Sequence, residues 1–171
     1  MTLIPADKVA AAKKAEPNLE ISPQAGAPFG MRRALLTSKL GLPCNPPPWG
    51  QLRAIDMTTG RILWEVPVGT TADLAPGTQF LLPHVGTPNF GGPMATASGL
   101  VFLGATLDNY LHAYDAATGR VLWRGRLPGG AQATPMTYVW KGRQYVLIAS
   151  GRHSKSGAKA ADQVVAFALP E

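Results

Sequence analysis

Two adjacent glycines and one aspartate are the residues of this sequence whose types and spacing could serve a bound ligand. Gly91 and Gly92 follow Asn89 and Phe90, and residues without a side chain let the backbone approach a ligand closely. Such glycines are equally typical of a turn that enters a strand. Asp108 stands in the segment TLDNY, where its carboxylate could orient a ligand or serve only a turn. From the residues alone, both alternatives stay open at each place.

The sequence offers little for nucleophilic or thiolate chemistry. Its single cysteine, Cys44, excludes an intramolecular disulfide and a cysteine zinc cluster. The surrounding LPCNPPPWG is apolar and rich in proline, which favours a structural thiol over a nucleophile. His84 belongs to no recognised motif, and strand alternation predicts that His112 faces solvent. No catalytic residue can be assigned within this chain.

Charge and hydropathy argue against several classes of partner. The 171 residues contain 16 Lys and Arg against 10 Asp and Glu, which gives a net charge of +6. Such a charge could attract nucleic acid or an acidic ligand, but the basic residues are scattered and not interleaved with aromatic ones, so no nucleic-acid partner is expected. The sequence also predicts neither a transmembrane segment nor a signal peptide in this chain.

The elements that would carry these residues are repeated along the chain. The segments LRAIDMTTGRILW and LHAYDAATGRVLW share the formula Ala-x-Asp-x-x-x-Gly-x-x-x-Trp, which ends at Trp64 and Trp123. Alternating apolar residues on both sides of an Asp-to-Gly turn predict a β-hairpin. A shortened third copy, VVAFALPE, begins at Val164. A repeat of about 50 residues that holds four short strands is typical of a β-propeller blade.

The chain is too short to close such a ring. It contains about two complete four-stranded antiparallel blades and parts of others, whereas a closed propeller usually has four to eight blades. We assign these blades to residues 49–171. Residues 1–48 contain many prolines, which predict an irregular, extended arm with a possible short helix near residues 6–16.

The repeated formula resembles the tryptophan-docking motif of the quinoprotein dehydrogenases, eight-bladed propellers that bind pyrroloquinoline quinone (PQQ). The resemblance covers essentially the whole chain and becomes narrower in five strings, which look like the C-terminal end of the membrane-bound, PQQ-dependent glucose dehydrogenase group. These strings are GLPCNPPPWG, GTPNFGGPMATASG, TLDNYLHAYDAATG, LPGGAQATPMTY and GRQYVLIASGRHSKSGAK. The fold that the resemblance implies is all-β, a partial eight-bladed-type β-propeller.

The same resemblance implies an activity and its partners. Enzymes of this group oxidise the C1 hydroxyl of an aldose such as glucose to a lactone, and pass electrons through PQQ to ubiquinone. A Ca²⁺ or Mg²⁺ ion beside the quinone, and a location at the periplasmic face of the inner membrane, are implied as well. The catalytic base and the metal ligands match no position here and would lie in the rest of the propeller, so this chain alone is expected to be inactive.

Cofactor-binding residues are implied at three places. The segment 89–92 matches the Asn-Trp-Gly-Gly segment that borders the cofactor in alcohol-oxidising members, although Phe90 replaces the Trp and loses its indole donor. Asp108 and His153 match an acidic residue and a histidine near PQQ in the glucose-oxidising group. A histidine suits the three carboxylates of PQQ because it can donate hydrogen bonds to them.

Two other hypotheses remain open. The chain could be a stand-alone β-repeat module that binds a partner along exposed sheet edges, or a subunit that completes its ring with another polypeptide. An in-frame continuation upstream in the DNA would favour a fragment of a longer dehydrogenase, and unrelated upstream sequence would favour the module.

Overall fold

A computed structural model describes residues 1–17, 19–151 and 158–170 of the chain. The chain divides into two compact units, Met1–Ser38 and Lys39–Glu171. Strands form most of the regular structure in both units.

The first unit is a three-stranded antiparallel sheet with a helix after its first strand. The strand order is β1-β3-β2, with bounds β1 (Thr2–Pro5), β2 (Glu20–Pro23) and β3 (Phe29–Arg33). A 3₁₀ turn at Ala6–Lys8 leads into α1 (Val9–Ala15), where alanines favour the helix. The buried Val9 packs against Gly30, whose position leaves no room for a Cβ atom.

This N-terminal segment is more regular than the irregular arm predicted for residues 1–48. Pro5 and Pro23 stand at the ends of strands, where proline is tolerated because no ladder hydrogen bond is required of it. The prolines therefore limit the strands without preventing them. The first unit also ends at Ser38, ten residues before the predicted boundary at residue 48, and residues 34–50 contain neither helix nor strand.

The second unit contains three sheets in the part of the chain that the structure describes. A hairpin comes first, then a four-stranded central sheet of order β6-β7-β8-β9, then a last sheet of order β10-β11-β12. A short helix, α2 (Thr78–Leu81), lies between the hairpin and the central sheet. The strands are β4 (Gln51–Ile55), β5 (Ile62–Pro67), β6 (Met94–Ala95), β7 (Leu100–Leu103), β8 (Tyr110–Asp115), β9 (Val121–Arg126), β10 (Met136–Trp140), β11 (Arg143–Ser150) and β12 (Gln163–Ala168).

Both faces of the central sheet are buried. Successive side chains of a strand point to opposite faces, so β8 supplies Tyr114 to one core and Leu111 to another. Tyr114 packs in the core that also takes Val66 of the hairpin, and Leu111 packs in the core that also takes Ile148 of the last sheet. Sheets packed face to face in chain order confirm the prediction of an all-β, partial propeller. One complete four-stranded sheet is present among the described residues, where the sequence predicted about two, because β4 and β5 correspond to β8 and β9 and residues 34–50 before them form no strands that would complete the sheet of the hairpin.

Matching rows of residues cross the central and last sheets. Residues directly opposite in neighbouring strands share a face of the sheet. The row in the central sheet is Met94–Phe102–Ala113–Trp123, and the row in the last sheet is Met136–Leu147–Ala166. Ala54 likewise lies opposite Trp64 in the hairpin.

The repeated Asp-to-Gly turns form as the sequence predicted. Asp115 accepts hydrogen bonds from the backbone N–H groups of Ala117 at 2.8 Å and Thr118 at 3.0 Å. Asp56 accepts the equivalent bond from Thr58 at 2.8 Å. The closing glycines have positive φ angles, +70° at residue 60 and +72° at residue 119, a conformation that favours glycine.

Each repeated tryptophan contacts the next sheet along the chain. Trp64 lies over Gly119 in the second turn, and its indole N–H donates a 3.0 Å hydrogen bond to the carbonyl of Ala116. Trp123 makes an edge-to-face contact with Phe167 of the last sheet, with ring centroids 5.1 Å apart. The ring of Trp64 is half-buried, whereas Trp123 is 41% exposed. Both tryptophans therefore contact the sheet that follows them in the chain, but Trp64 is more buried than Trp123.

Candidate functional site

The loops that carry most of the predicted site residues meet at one end of the central sheet. Because its strands are antiparallel, the connections after β7 and β9 leave from the same end. Leu127 donates its backbone N–H to the carbonyl of Asn109 at 2.9 Å, and Leu107 donates its N–H to the hydroxyl of Thr87 at 3.1 Å. These bonds join the loops that follow β5, β7 and β9. His153 lies outside the described residues.

The segment 89–92 packs against two of these loops. A Cβ atom on Gly91 would collide with the backbone oxygen of Gln132 and would lie 2.9 Å from the Cβ of Ala105. Among the described residues, a Cβ atom on Gly92 would meet only the hydroxyl of Thr134, at 3.2 Å. Gly91 is therefore needed for close backbone packing, whereas Gly92 leaves space above the backbone. Neither has a positive φ angle, so a turn that requires glycine is not the reason for the pair.

Phe90 and Gln132 are the two side chains beside this segment that suit a flat, polar ligand. Phe90 is 54% exposed, and an aromatic ring is the kind of side chain that stacks on a flat ligand. The side-chain amide of Gln132 is buried, and neither its nitrogen nor its oxygen has a hydrogen-bond partner among the described residues. A buried amide without partners costs free energy unless a further group satisfies it. No sequence motif singles out Gln132, and the sequence draws attention to it only because it lies in the string LPGGAQATPMTY.

Asp108 is fully buried and makes three sets of contacts within the chain. Its carboxylate accepts the backbone N–H of Thr70 at 2.9 Å and the hydroxyl of Thr106 at 2.5 Å. The Nε2 atom of His112 lies 3.2 Å from both carboxylate oxygens. The side chain thus holds the loop after β5 and the loop after β7 to strand β8, and it acts on the site by positioning these loops.

The prediction that His112 faces solvent is wrong. The residue is 4% exposed, with Tyr114 stacked at 5.9 Å and Tyr110 edge-on at 6.1 Å between ring centroids. Alternation along β8 does assign His112 to the face opposite Ala113, but both faces of the central sheet are covered. Alternation separates the two faces without revealing which of them is buried.

The pKa of Asp108 reflects opposing effects. Burial alone would raise this pKa, but the hydrogen bond and charge of His112, together with the bonds from Thr106 and Thr70, outweigh burial and hold the pKa below its usual range. The carboxyl is therefore ionised at neutral pH. Burial, and then the charge of Asp108, raise the pKa of the Tyr114 hydroxyl well above its usual range, so this hydroxyl stays neutral.

A second acidic residue, Asp73, links the same end of the sheet to strand β9. Its carboxylate accepts hydrogen bonds from the guanidinium of Arg126 at 2.6 and 3.1 Å and from the amide of Asn109 at 2.7 Å. The ion pair with Asp73 raises the pKa of Arg126. Asn109 has a positive φ angle of +52°, which Asn tolerates better than most residues.

The described residues contain no ready-made metal centre. No group of three His, Cys, Asp or Glu side chains lies close enough to hold an ion in residues 1–17, 19–151 and 158–170. Cys44 is exposed and unpaired with another cysteine. No helix in the same ranges has the length and hydropathy needed to cross a membrane.

Replacing Gly91 by alanine is expected to lower the free energy of unfolding by about 2 kcal/mol, because the added methyl overpacks against a backbone carbonyl that cannot turn away. The measurement is urea unfolding followed by tryptophan fluorescence. Gly92→Ala is the matched control and should cost less than about 1 kcal/mol. Equal losses in the two variants would contradict the different roles assigned to the two glycines.

Comparisons with known proteins all find that this chain is similar to the same kind of protein. Residues 1–146 match the family model "PQQ: Glucose/ethanol/alcohol dehydrogenase, beta-propeller domain". The chain is 44% identical to quinoprotein glucose dehydrogenase A of Acinetobacter calcoaceticus over 173 aligned residues, which cover 99% of this chain and 22% of that protein. It is 46% identical to a probable quinate dehydrogenase (quinone) of Xanthomonas campestris pv. juglandis, over 87% of this chain and 19% of that protein.

A solved structure supports the fold. The quinohemoprotein alcohol dehydrogenase from Comamonas testosteroni superposes with a TM-score of 0.56 at 26% identity, and the match covers 99% of this chain and 23% of that one. The chain thus spans about a fifth of the length of the relatives that it matches.

Proposed function

Because this chain belongs to the β-propeller family of PQQ-dependent quinoprotein dehydrogenases, we propose that it is the C-terminal portion of a sugar dehydrogenase. The whole enzyme oxidises the C1 hydroxyl of an aldose to a lactone. The observation that carries the proposal is the 44% identity to a glucose dehydrogenase along 99% of the chain. The identity of 46% to a probable quinate dehydrogenase favours a cyclic polyol as the second candidate substrate.

In this proposal PQQ occupies the space above Gly92, at the loop end of the central sheet. Bound PQQ supplies the redox chemistry, since a quinone accepts the two electrons of an alcohol oxidation. Asn89 and Phe90 border the cofactor, and the unpartnered amide of Gln132 offers a donor and an acceptor to its polar edge. Asp108 contributes by fixing the loops around the cofactor, because its oxygens are already bonded within the chain. His153 is proposed to face the carboxylates of PQQ on the grounds of sequence resemblance.

The remaining parts of the enzyme are proposed to lie in the rest of the propeller. They include the catalytic base and the ligands of a Ca²⁺ or Mg²⁺ ion. Electrons pass to ubiquinone at the periplasmic face of the inner membrane. In this proposal the 171-residue chain contributes part of the cofactor site, whereas the catalytic base and the metal ligands belong to the rest of the propeller.

The cofactor site is tested by titrating the chain with PQQ and following tryptophan fluorescence. Gly92→Leu is expected to weaken PQQ binding at least about tenfold, because the side chain fills the space over the backbone. The control is Ala97→Leu, at an exposed residue of the β6–β7 turn, which should bind like the unsubstituted chain. Equal PQQ binding by the Gly92→Leu and Ala97→Leu variants would overturn the proposed cofactor site.

The substrate is tested on the longer polypeptide loaded with PQQ, with a dye as electron acceptor. Faster dye reduction with glucose than with quinate supports the sugar dehydrogenase. The reverse order would replace it by the cyclic polyol dehydrogenase.

A further inference from the structure

A cavity of about 390 Å³ lies beside the outer strands of the central sheet, on the face that carries His112. Its polar lining comes from His112 and Tyr114 of β8, Arg124 of β9, and Thr70 and His84 of the connection after β5. No Asp or Glu belongs to this lining among the described residues. A volume of this size is at the small end of ligand pockets in proteins.

His112 presents one ring nitrogen that the fold does not use. Its Nε2 atom lies 3.2 Å from both oxygens of the Asp108 carboxylate, which can only accept a hydrogen bond, so Nε2 is the donor. No described residue forms a hydrogen bond with Nδ1, although the side chain is 4% exposed and lines the cavity. Nδ1 therefore offers the cavity a hydrogen-bonding position that has no partner among the described residues.

Arg124 presents an unpaired cation to the same cavity. It lies directly opposite His112 in the pairing of β8 with β9, so the two side chains share a face with Cβ atoms about 5 Å apart. Its guanidinium lies over the ring of Tyr110 at 5.4 Å, and it forms an ion pair with no Asp or Glu of the described residues. A cation and an unpartnered ring nitrogen thus lie side by side.

The neighbouring position of β9 shows what such an arginine can bind. Arg126 has the same ring contact with Tyr110, at 4.8 Å, but its guanidinium also holds the carboxylate of Asp73 through two hydrogen bonds. A planar carboxylate is the anion that matches the fork of a guanidinium. Arg124 has the same surroundings without the carboxylate.

We propose that this cavity binds a small hydroxy-carboxylate. The carboxylate accepts hydrogen bonds from the guanidinium of Arg124, and a neighbouring hydroxyl, which can donate or accept, forms a hydrogen bond with Nδ1 of His112. Thr70 and His84 lie on the lining as further hydrogen-bonding partners. This site goes beyond the proposed dehydrogenase function and depends neither on PQQ nor on the rest of the propeller.

A ligand that carries only a carboxylate or only hydroxyls would pair with only one of the two side chains, Arg124 or His112. A carboxylate without a hydroxyl would leave Nδ1 without the hydrogen-bond partner that a hydroxyl supplies. A neutral polyol would leave the charge of Arg124 without a partner, and a charge-assisted hydrogen bond is roughly twice as strong as a neutral one. The pairing of His112 with Arg124 therefore selects molecules that carry both groups.

The test is calorimetric titration of the chain at about neutral pH with three probes: D-gluconate, acetate and sorbitol. Gluconate is expected to bind at least about tenfold more tightly than either of the others, which is the size of one charge-assisted hydrogen bond. A matching shift of the Nδ1 resonance of His112 in ¹⁵N NMR should accompany gluconate binding. Equal affinities for gluconate and acetate, or no binding of gluconate, would overturn the proposal.

A variant at the exposed Arg124 separates binding from folding. Arg124→Gln should weaken gluconate binding at least about tenfold and leave the unfolding midpoint unchanged. The control is Arg120→Gln, at an exposed residue of the Asp115–Gly119 turn region, which should bind gluconate normally. Normal gluconate binding by Arg124→Gln would overturn the site, whereas PQQ binding by the same variant tests the cofactor site separately.

Discussion

Gly119→Ala is expected to lower the free energy of unfolding by about 3 kcal/mol. Two costs combine at this position. Gly119 has a φ angle of +72°, which an alanine adopts only with strain. An added Cβ would also lie 2.6 Å from Cε3 of Trp64, so the ring must move off the turn and give up its hydrogen bond to the carbonyl of Ala116. The measurement is urea unfolding of the chain followed by tryptophan fluorescence.

The first repeat supplies a matched control for this substitution. Gly60 occupies the same place in its turn, with a φ angle of +70°, but a Cβ atom added there would have no neighbour within 4 Å in the part of the chain that the structure describes. Gly60→Ala should therefore show the strain alone, about 1 kcal/mol. The difference between the two variants isolates the contact with Trp64. Equal losses would show that this tryptophan adds nothing to the packing between the hairpin and the central sheet.

Asp108→Asn is expected to cost about 3 kcal/mol of unfolding free energy, because a buried carboxylate with three hydrogen-bonding partners is replaced by an amide that cannot satisfy all of them. The amide cannot accept hydrogen bonds from Thr70, Thr106 and His112 in the way that the carboxylate does. Because Asp108 joins two loops to strand β8, the loss should be accompanied by faster amide hydrogen exchange at Thr70.

The pH dependence of the same variant follows from the pKa of Asp108. Since this pKa is lower in the folded chain than in the unfolded chain, the contribution to stability is fully present above the unfolded value and is lost as the pH falls through the folded value. Unfolding measured from about pH 7 down to about pH 3 should show a steeper loss of stability in the unsubstituted chain than in Asp108→Asn.

Asp115→Asn controls for the chemical change itself. The carboxylate of Asp115 accepts two backbone amides in an exposed turn, where Asn is also favoured, so this variant should change stability by less than about 1 kcal/mol. If Asp108→Asn were no more destabilising than Asp115→Asn, the buried network would have no structural role.

Local features of the fold could be predicted from the sequence, and long-range ones could not. The Asp-to-Gly turns form as expected because their hydrogen bonds join residues two or three apart. The sheet in the first unit was not expected, since the sequence does not reveal that Pro5 and Pro23 fall at strand ends. Burial of His112 depends on a second sheet and a distant loop that cover the same face.

The candidate site shows the same limit. Gly91 and Asp108 could be singled out by residue type, but their partners Gln132 and Thr70 come from loops about 40 residues away in the chain and lack a motif of their own. The resemblance supplied the type of cofactor, and the contacts of the fold then separated the packing role of Gly91 from the open position of Gly92. Tertiary contacts of this kind carry no periodic signal.

The matched rows that cross the central and last sheets have a consequence for engineering. Met94 and Met136 begin equivalent rows, and Ala113 and Ala166 stand third in each. Since strand register fixes which face every side chain occupies, equivalent positions of the two sheets carry their side chains on equivalent faces. Chimaeras joined at these methionines would keep the residues of each face on that face, so the strands of one sheet could be transferred to the place of the other.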